Sequence, residues 1–94
     1  MDAFTITPSD TTPARGQSIT VTINSAEPLA KNPTLWVAQP GIAAWSVSTT
    51  KVGTNIYRAT LRLKSSGTGT VEFRAWGVDA NGVAQQTRTK FPLH

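Results

Sequence analysis

A chain of 94 residues, 38% hydrophobic and 15% charged, has room for one compact core, which excludes a two-lobed enzyme with a cleft between its halves. It holds no cysteine, excluding a disulfide framework, a thiol nucleophile and a zinc finger, and its only histidine, His94, is the last residue, which leaves no positioned base for a catalytic triad and no histidine metal site. The net charge of +4, from 9 basic and 5 acidic side chains, is scattered from Arg15 to Lys90 rather than gathered into the patch of a nucleic-acid binder, and no run of about 18 apolar residues offers a membrane span.

The start, Met1-Asp2-Ala3-Phe4, has neither the basic beginning nor the long apolar stretch of a signal peptide, so a secreted parent is expected to carry this chain as an excised piece. A strand is expected near residues 4–7, followed by a break where Pro8 to Pro13 suits the edge of a sheet. The second, 17–25, is the clearest, because Ile19, Val21 and Ile23 alternate with Thr20 and Thr22 and give one apolar and one hydroxyl face. Asn32-Pro33 and Pro40-Gly41 bracket a third strand at 34–39, and a fourth is expected at 45–50. After Gly53-Thr54-Asn55, alternation returns over 56–64 with Tyr57, Ala59, Leu61 and Leu63, and then over 70–78 with Val71, Phe73 and Ala75. Asp79-Ala80-Asn81-Gly82 reads as a hairpin turn into a last strand at 83–91. No segment repeats apolar residues with helical spacing. The expected core is Phe4, Ile6, Ile19, Val21, Ile23, Leu35, Val37, Tyr57, Ala59, Leu61, Val71, Phe73 and Ala75. Seven short antiparallel strands in a chain of this length fit an immunoglobulin-like β-sandwich with Greek-key connections, a small Greek-key barrel being the alternative. Residues 1–94 are read as one domain.

Ile6-Thr7-Pro8-Ser9 followed by the run from Gly16 to Ile23 resembles the first two strands of bacterial immunoglobulin-like and fibronectin type III-like modules. The runs from Asn55 to Leu61 and from Gly69 to Ala75, and Asp79-Ala80-Asn81-Gly82 with Gln85, are similar to later parts of the same modules. The chain departs from them in lacking the immunoglobulin cysteine pair, and in having Asn81-Gly82 where many bacterial relatives have Gly-Asn. The resemblance implies a non-catalytic accessory module of a larger secreted or surface bacterial protein, serving as spacer, stabiliser or docking platform, since similar domains flank glycoside hydrolases, peptidases and adhesins. It also allows a dimerisation domain, as in oxidoreductases whose final domain has a similar Arg-Ala, Asp, Gly and Gln run. The expected partners are neighbouring domains of the parent, with a polysaccharide as the alternative and neither nucleic acid nor membrane insertion. The expected location is extracellular or on the cell surface.

Trp36 lies between Leu35 and Val37, and Trp76 is out of phase with Val71, Phe73 and Ala75. If Leu35 and Val37 face the core, both indoles point outward from one sheet, where with Arg74 and Glu72 they can form an apolar platform on which sugar rings stack. Trp45 is a possible third contact, or a loop anchor or the start of an edge strand. Against the platform stands the tendency of tryptophan to be buried, including as the core indole of this strand in sandwiches. Arg58, Arg62 and Lys64 occupy the outward phase of one expected strand at roughly 7 Å intervals. They form a basic stripe that can receive a polyanion, or edge charge that discourages sheet-to-sheet pairing. Asp79, Asn81 and Asp10 evoke a calcium loop, but no acidic residue follows Asp79, and a tight turn accounts for the same residues, so neither metal nor cofactor is expected.

Overall fold

The computed structural model describes residues 4–65 and 69–93. They form strands β1 (Phe4–Pro8), β2 (Ser18–Ser25), β3 (Thr34–Gln39), β4 (Ile42–Ser48), β5 (Thr50–Gly53), β6 (Ile56–Arg62), β7 (Thr70–Val78) and β8 (Ala84–Pro92). No helix occurs among the described residues, so none is long and apolar enough to cross a membrane. The strands make two four-stranded antiparallel sheets, in the orders β1-β2-β6-β5 and β4-β3-β7-β8.

The sheets form because the apolar residues recur every second position, which puts them all on one side of each strand. Ile19, Val21 and Ile23 of β2 lie opposite Leu61, Ala59 and Tyr57 of β6, while Leu35 and Val37 of β3 lie opposite Ala75 and Phe73 of β7. All ten are buried, and both sheets contribute to one apolar cluster that contains every residue expected in the core together with Leu63. Trp45, Val47 and Phe91 close its margins half-buried, with the Phe91 ring tilted against that of Phe73 at 5.9 Å between centroids.

The single strand expected at 45–50 is two strands in different sheets. β3 turns through Pro40-Gly41 directly into β4, with Gln39 opposite Ile42 and a bulge beside Ala38. Proline supplies the negative φ of the first turn position, and Gly41 supplies the positive one, at 75°. β4 then runs only to Ser48, and Thr50 already pairs with Arg58 of the other sheet. The crossing is made at Thr49, a buried residue whose Oγ1 donates to the Pro33 carbonyl at 2.5 Å and whose carbonyl accepts from Asn32 Nδ2 at 3.0 Å. A Ser-Thr-Thr sequence carries no turn signal, because threonine suits an extended strand as well as it suits this junction. β6 is also shorter than expected, ending at Arg62, and its place between β2 and β5 makes it an interior strand.

Hydrogen bonds join the two sheets on two sides, at the ends of interior strands and along the β1 and β8 edges. On one, Lys64 N–H donates to Gln39 Oε1 at 2.8 Å and Gln39 Nε2 donates to the Lys64 carbonyl at 3.2 Å, so a buried side-chain amide pairs with the backbone as a strand would. On the other, Phe4 N–H donates to Thr87 Oγ1 at 3.1 Å, and the Phe4 ring lies over Gly77 of β7. A Cβ at residue 77 would sit 3.3 Å from Pro33 Cβ and 3.4 Å from Phe4 Cζ, so the absence of a side chain there sets how closely the N-terminal strand approaches. Gly77→Val is expected to cost roughly 1–3 kcal/mol by overpacking. Urea titration checks this, and an unchanged midpoint would mean that Phe4 and Pro33 do not close on residue 77.

Candidate functional site

β3 and β7 lie side by side in the middle of their sheet, and the burial of Leu35, Val37, Phe73 and Ala75 forces the intervening residues onto the outer face. The register sets Thr34 opposite Trp76 and Trp36 opposite Arg74. Trp36 and Trp76 are therefore diagonal neighbours, about 7–8 Å apart along the sheet and within reach of one another's large side chains. The four residues line a shallow open depression of about 330 Å³. Its rims belong to the flanking strands, with Ser46 of β4 beside Trp36, and Arg88 and Gln86 of β8 beside Arg74 and Trp76.

The two indoles differ in what they offer. Trp76 is 41% exposed, an unusual state for so large an apolar side chain. Trp36 is half-buried, and the Arg74 guanidinium carbon lies 5.5 Å from its ring centroid in a cation–π contact. Arginine therefore covers the Trp36 ring, and the surface is a mixed one of an open indole beside a cation rather than two open indoles in one plane. Arg74 Nε is buried in this arrangement and has no hydrogen-bond partner. An N–H donor in that state has lost its water without gaining an acceptor, which costs of order 1–3 kcal/mol.

Trp45 lies elsewhere. It is neither a loop residue nor the first of its strand, but sits within β4 opposite Val37, on the inward side, where it packs against the core margin and the Lys64 ammonium lies 5.1 Å from its ring centroid. It cannot share a ligand with Trp36 and Trp76, because it faces the other way through the sheet. The basic stripe is likewise divided. Arg58 and Arg62 do face outward from β6, and Arg62 Nε donates to the Gly16 carbonyl at 3.0 Å. Lys64 lies beyond the strand end and is turned to Trp45, so it leaves the row. Because β6 is interior, charge on it protects no sheet edge.

Asp79 forms the turn between β7 and β8. Its Oδ1 accepts from the Asn81 N–H at 2.9 Å and the Val83 N–H at 3.0 Å, and its Oδ2 from Gln85 Nε2 at 3.2 Å. The Val83 amide does most to hold this carboxyl below its ordinary value, with Gln85 and Asn81 adding to it against the opposing effect of burial. Both oxygens are therefore engaged in closing the hairpin. Asp10 similarly accepts from the Thr12 N–H at 2.9 Å and from Gln17 Nε2 at 3.3 Å, well away from the Asp79 turn in the chain. Among the described residues, no three metal-ligating side chains come together.

Thr34 and Arg88 belong to the outer face without any signal in the linear sequence beyond alternation. Once the turn sets Val78 opposite Ala84, two-residue steps along both strands bring Arg88 opposite Arg74. No protein-family signature matches the chain, and no curated protein matches it in sequence.

Two outcomes are expected for the Asp79 turn. A carboxyl whose folded pKa is depressed stabilises above its unfolded value of about 4, and that contribution is lost as pH falls through the lower folded value. Asp79→Asn therefore destabilises at neutral pH, and its deficit against the parent chain shrinks as denaturation is repeated below pH of about 4. A deficit constant with pH would show that the charge plays no part. Gly82 has a φ of 82° with open space around the site of a Cβ, so Gly82→Ala meets only backbone strain and should cost roughly 1 kcal/mol, while melts in millimolar calcium and in chelator coincide.

Proposed function

We propose that the chain is an immunoglobulin-like accessory module, a non-catalytic domain of a larger secreted or surface bacterial protein that spaces, stabilises or docks its neighbours. The observation that carries this reading is the strand order. The order β1-β2-β6-β5 against β4-β3-β7-β8 supports it by being compatible with the A-B-E-D and C-F-G sheets of an immunoglobulin sandwich carrying one further strand beside C. Supporting it, polar side chains in the connections bond to the chain's own backbone: Asp10 to Thr12, Gln17 to Ala14, Asn32 to Thr49, and Asp79 to Asn81 and Val83. Connections tied down in this way suit a rigid unit between other domains. In light scattering the isolated chain should have the mass of a monomer and unfold in one cooperative transition. A stable dimer at micromolar concentration would overturn the spacer reading in favour of a dimerisation domain.

A second reading is favoured by the outer face of β3 and β7: a carbohydrate-binding surface on which a sugar ring stacks against Trp76 beside Arg74 and Trp36. Acrylamide should quench part of the tryptophan fluorescence, and the accessible part should vanish in Trp76→Ala. Retention on insoluble cellulose, chitin or starch that disappears in Trp76→Ala, with the unfolding transition intact, supports the surface. Retention unchanged by that substitution removes it.

A further inference from the structure

On the outer face of the β4-β3-β7-β8 sheet, Arg74 and Arg88 stand directly opposite one another. Directly opposed residues on one face of an antiparallel pair have Cβ atoms about 4.5–5.5 Å apart, and like charges so placed repel. Two residues along, Glu72 stands opposite Lys90, so the β7–β8 ribbon presents three cations and one carboxylate on this face. Among the described residues the structure gives neither Arg74 nor Arg88 a carboxylate partner, and Arg74 Nε has no acceptor. The guanidinium of Arg74 lies over the Trp36 ring, which shields it from water and raises the strength of any ion pair made along its N–H edge.

The surroundings of this pair narrow the kind of anion. Beside Arg74 on the same strand and the same face is Trp76, whose ring is open to solvent. The side chains of Thr34 and Gln86 flank Trp76 from the two neighbouring strands. An apolar ring face with a hydroxyl on one side, an amide on the other and a guanidinium pair at one end matches a pyranose ring that carries hydroxyls and one carboxylate. Arginine is suited to the last, since its planar fork meets a carboxylate with two parallel hydrogen bonds.

We propose that this face binds an acidic polysaccharide through a uronate residue, its ring stacked on Trp76 and its carboxylate held between Arg74 and Arg88. This rests on the stacking reading of the same face and adds the charge of the sugar to it. The carboxylate relieves the repulsion of the opposed arginines, so the anion is taken up where the free face is least favourable. Neutral sugars gain the stacking and leave the repulsion in place.

Affinity electrophoresis and calorimetry of the intact chain with oligogalacturonate test this, beside three comparison polymers: its fully methyl-esterified form, a neutral β-glucan, and poly-L-glutamate, which has the charge without the ring. Oligogalacturonate is expected to bind about tenfold or more tightly than any of the three, since one charge-assisted bidentate pair is of that order. Arg88→Gln, a change at an exposed position that also relieves the repulsion, should remove that preference without lowering the unfolding midpoint. Trp76→Ala should weaken oligogalacturonate and β-glucan alike, and Arg58→Gln, on the outer face of the other sheet, should change neither. Equal binding of poly-L-glutamate and oligogalacturonate, weakened as much by Arg58→Gln as by Arg88→Gln, overturns the site in favour of general attraction to a basic chain. Equal binding of esterified and free oligomers, lost in Trp76→Ala, overturns the uronate assignment and leaves the stacking surface standing. Failure of all four polymers to bind overturns both.

Discussion

Leu35 and Val37 on β3 and Phe73 and Ala75 on β7 are fully buried and paired across the two central strands of one sheet, and the rest of the molecule depends on that register. Because side chains alternate along a strand, a slip of β7 by one residue would drive Arg74 and Trp76 into the core and expose Val71, Phe73 and Ala75 in exchange. Burying an unpaired guanidinium costs several kcal/mol, and exposing each large apolar side chain a further 1.5–3 kcal/mol or so, so the alternative is closed by energy as well as geometry. The same constraint that packs the interior therefore composes the outer face, and the site is the reverse side of the core.

Buried polar side chains occur where the chain leaves a sheet. Gln39 ends β3 and is bonded to the Lys64 backbone, Thr49 lies between β4 and β5 and is bonded to the Pro33 carbonyl, and Asp79 directly follows β7 and accepts from two amides of its own turn. Backbone groups at such points lose their ladder partners while still shielded from water, and each left unsatisfied would cost about 1–3 kcal/mol. A side chain replaces the missing strand in every case. The connections are consequently held by specific hydrogen bonds, so the ends of the sandwich are tied to the chain's own backbone as well as its core is packed.

The outer faces of the two sheets differ in kind. On β1, β2 and β6 that of the β1-β2-β6-β5 sheet carries Thr5, Thr7, Thr20, Thr22 and Thr60, with Arg58 and Arg62 among them, a hydroxyl-rich surface on which β-branched residues favour the strand. That of the β4-β3-β7-β8 sheet concentrates two indoles and most of its charge on the central strands and β8. Aromaticity that composition reports as thinly spread is thus gathered on one side, while cations stand on both. A net charge of +4 describes neither face.

Alternation alone was enough to identify the core, because a period of two is a local property and each of Ile19, Val21, Ile23, Leu35, Val37, Val71 and Phe73 is placed by its immediate neighbours. The Asp79 turn was legible for the same reason, since its carboxylate, its Asn81 and its Gly82 act within five residues of one another. Which strands lie together was decided by tertiary structure. Thr49 carries the chain from one sheet to the other with no glycine or proline to announce it, and only the pairing of Thr50 with Arg58 divides the expected strand in two. Trp45 turns inward because the bulge at Ala38 shifts β4 by one residue, and Arg88 comes to face Arg74 because the turn sets the register of nine residue pairs at once. Neither follows from the residues beside them. Contacts between strands depend on register, which is fixed by sums of burial over whole strands and by the geometry of distant turns, whereas the inward or outward phase of a residue within a regular strand is already written in its neighbours.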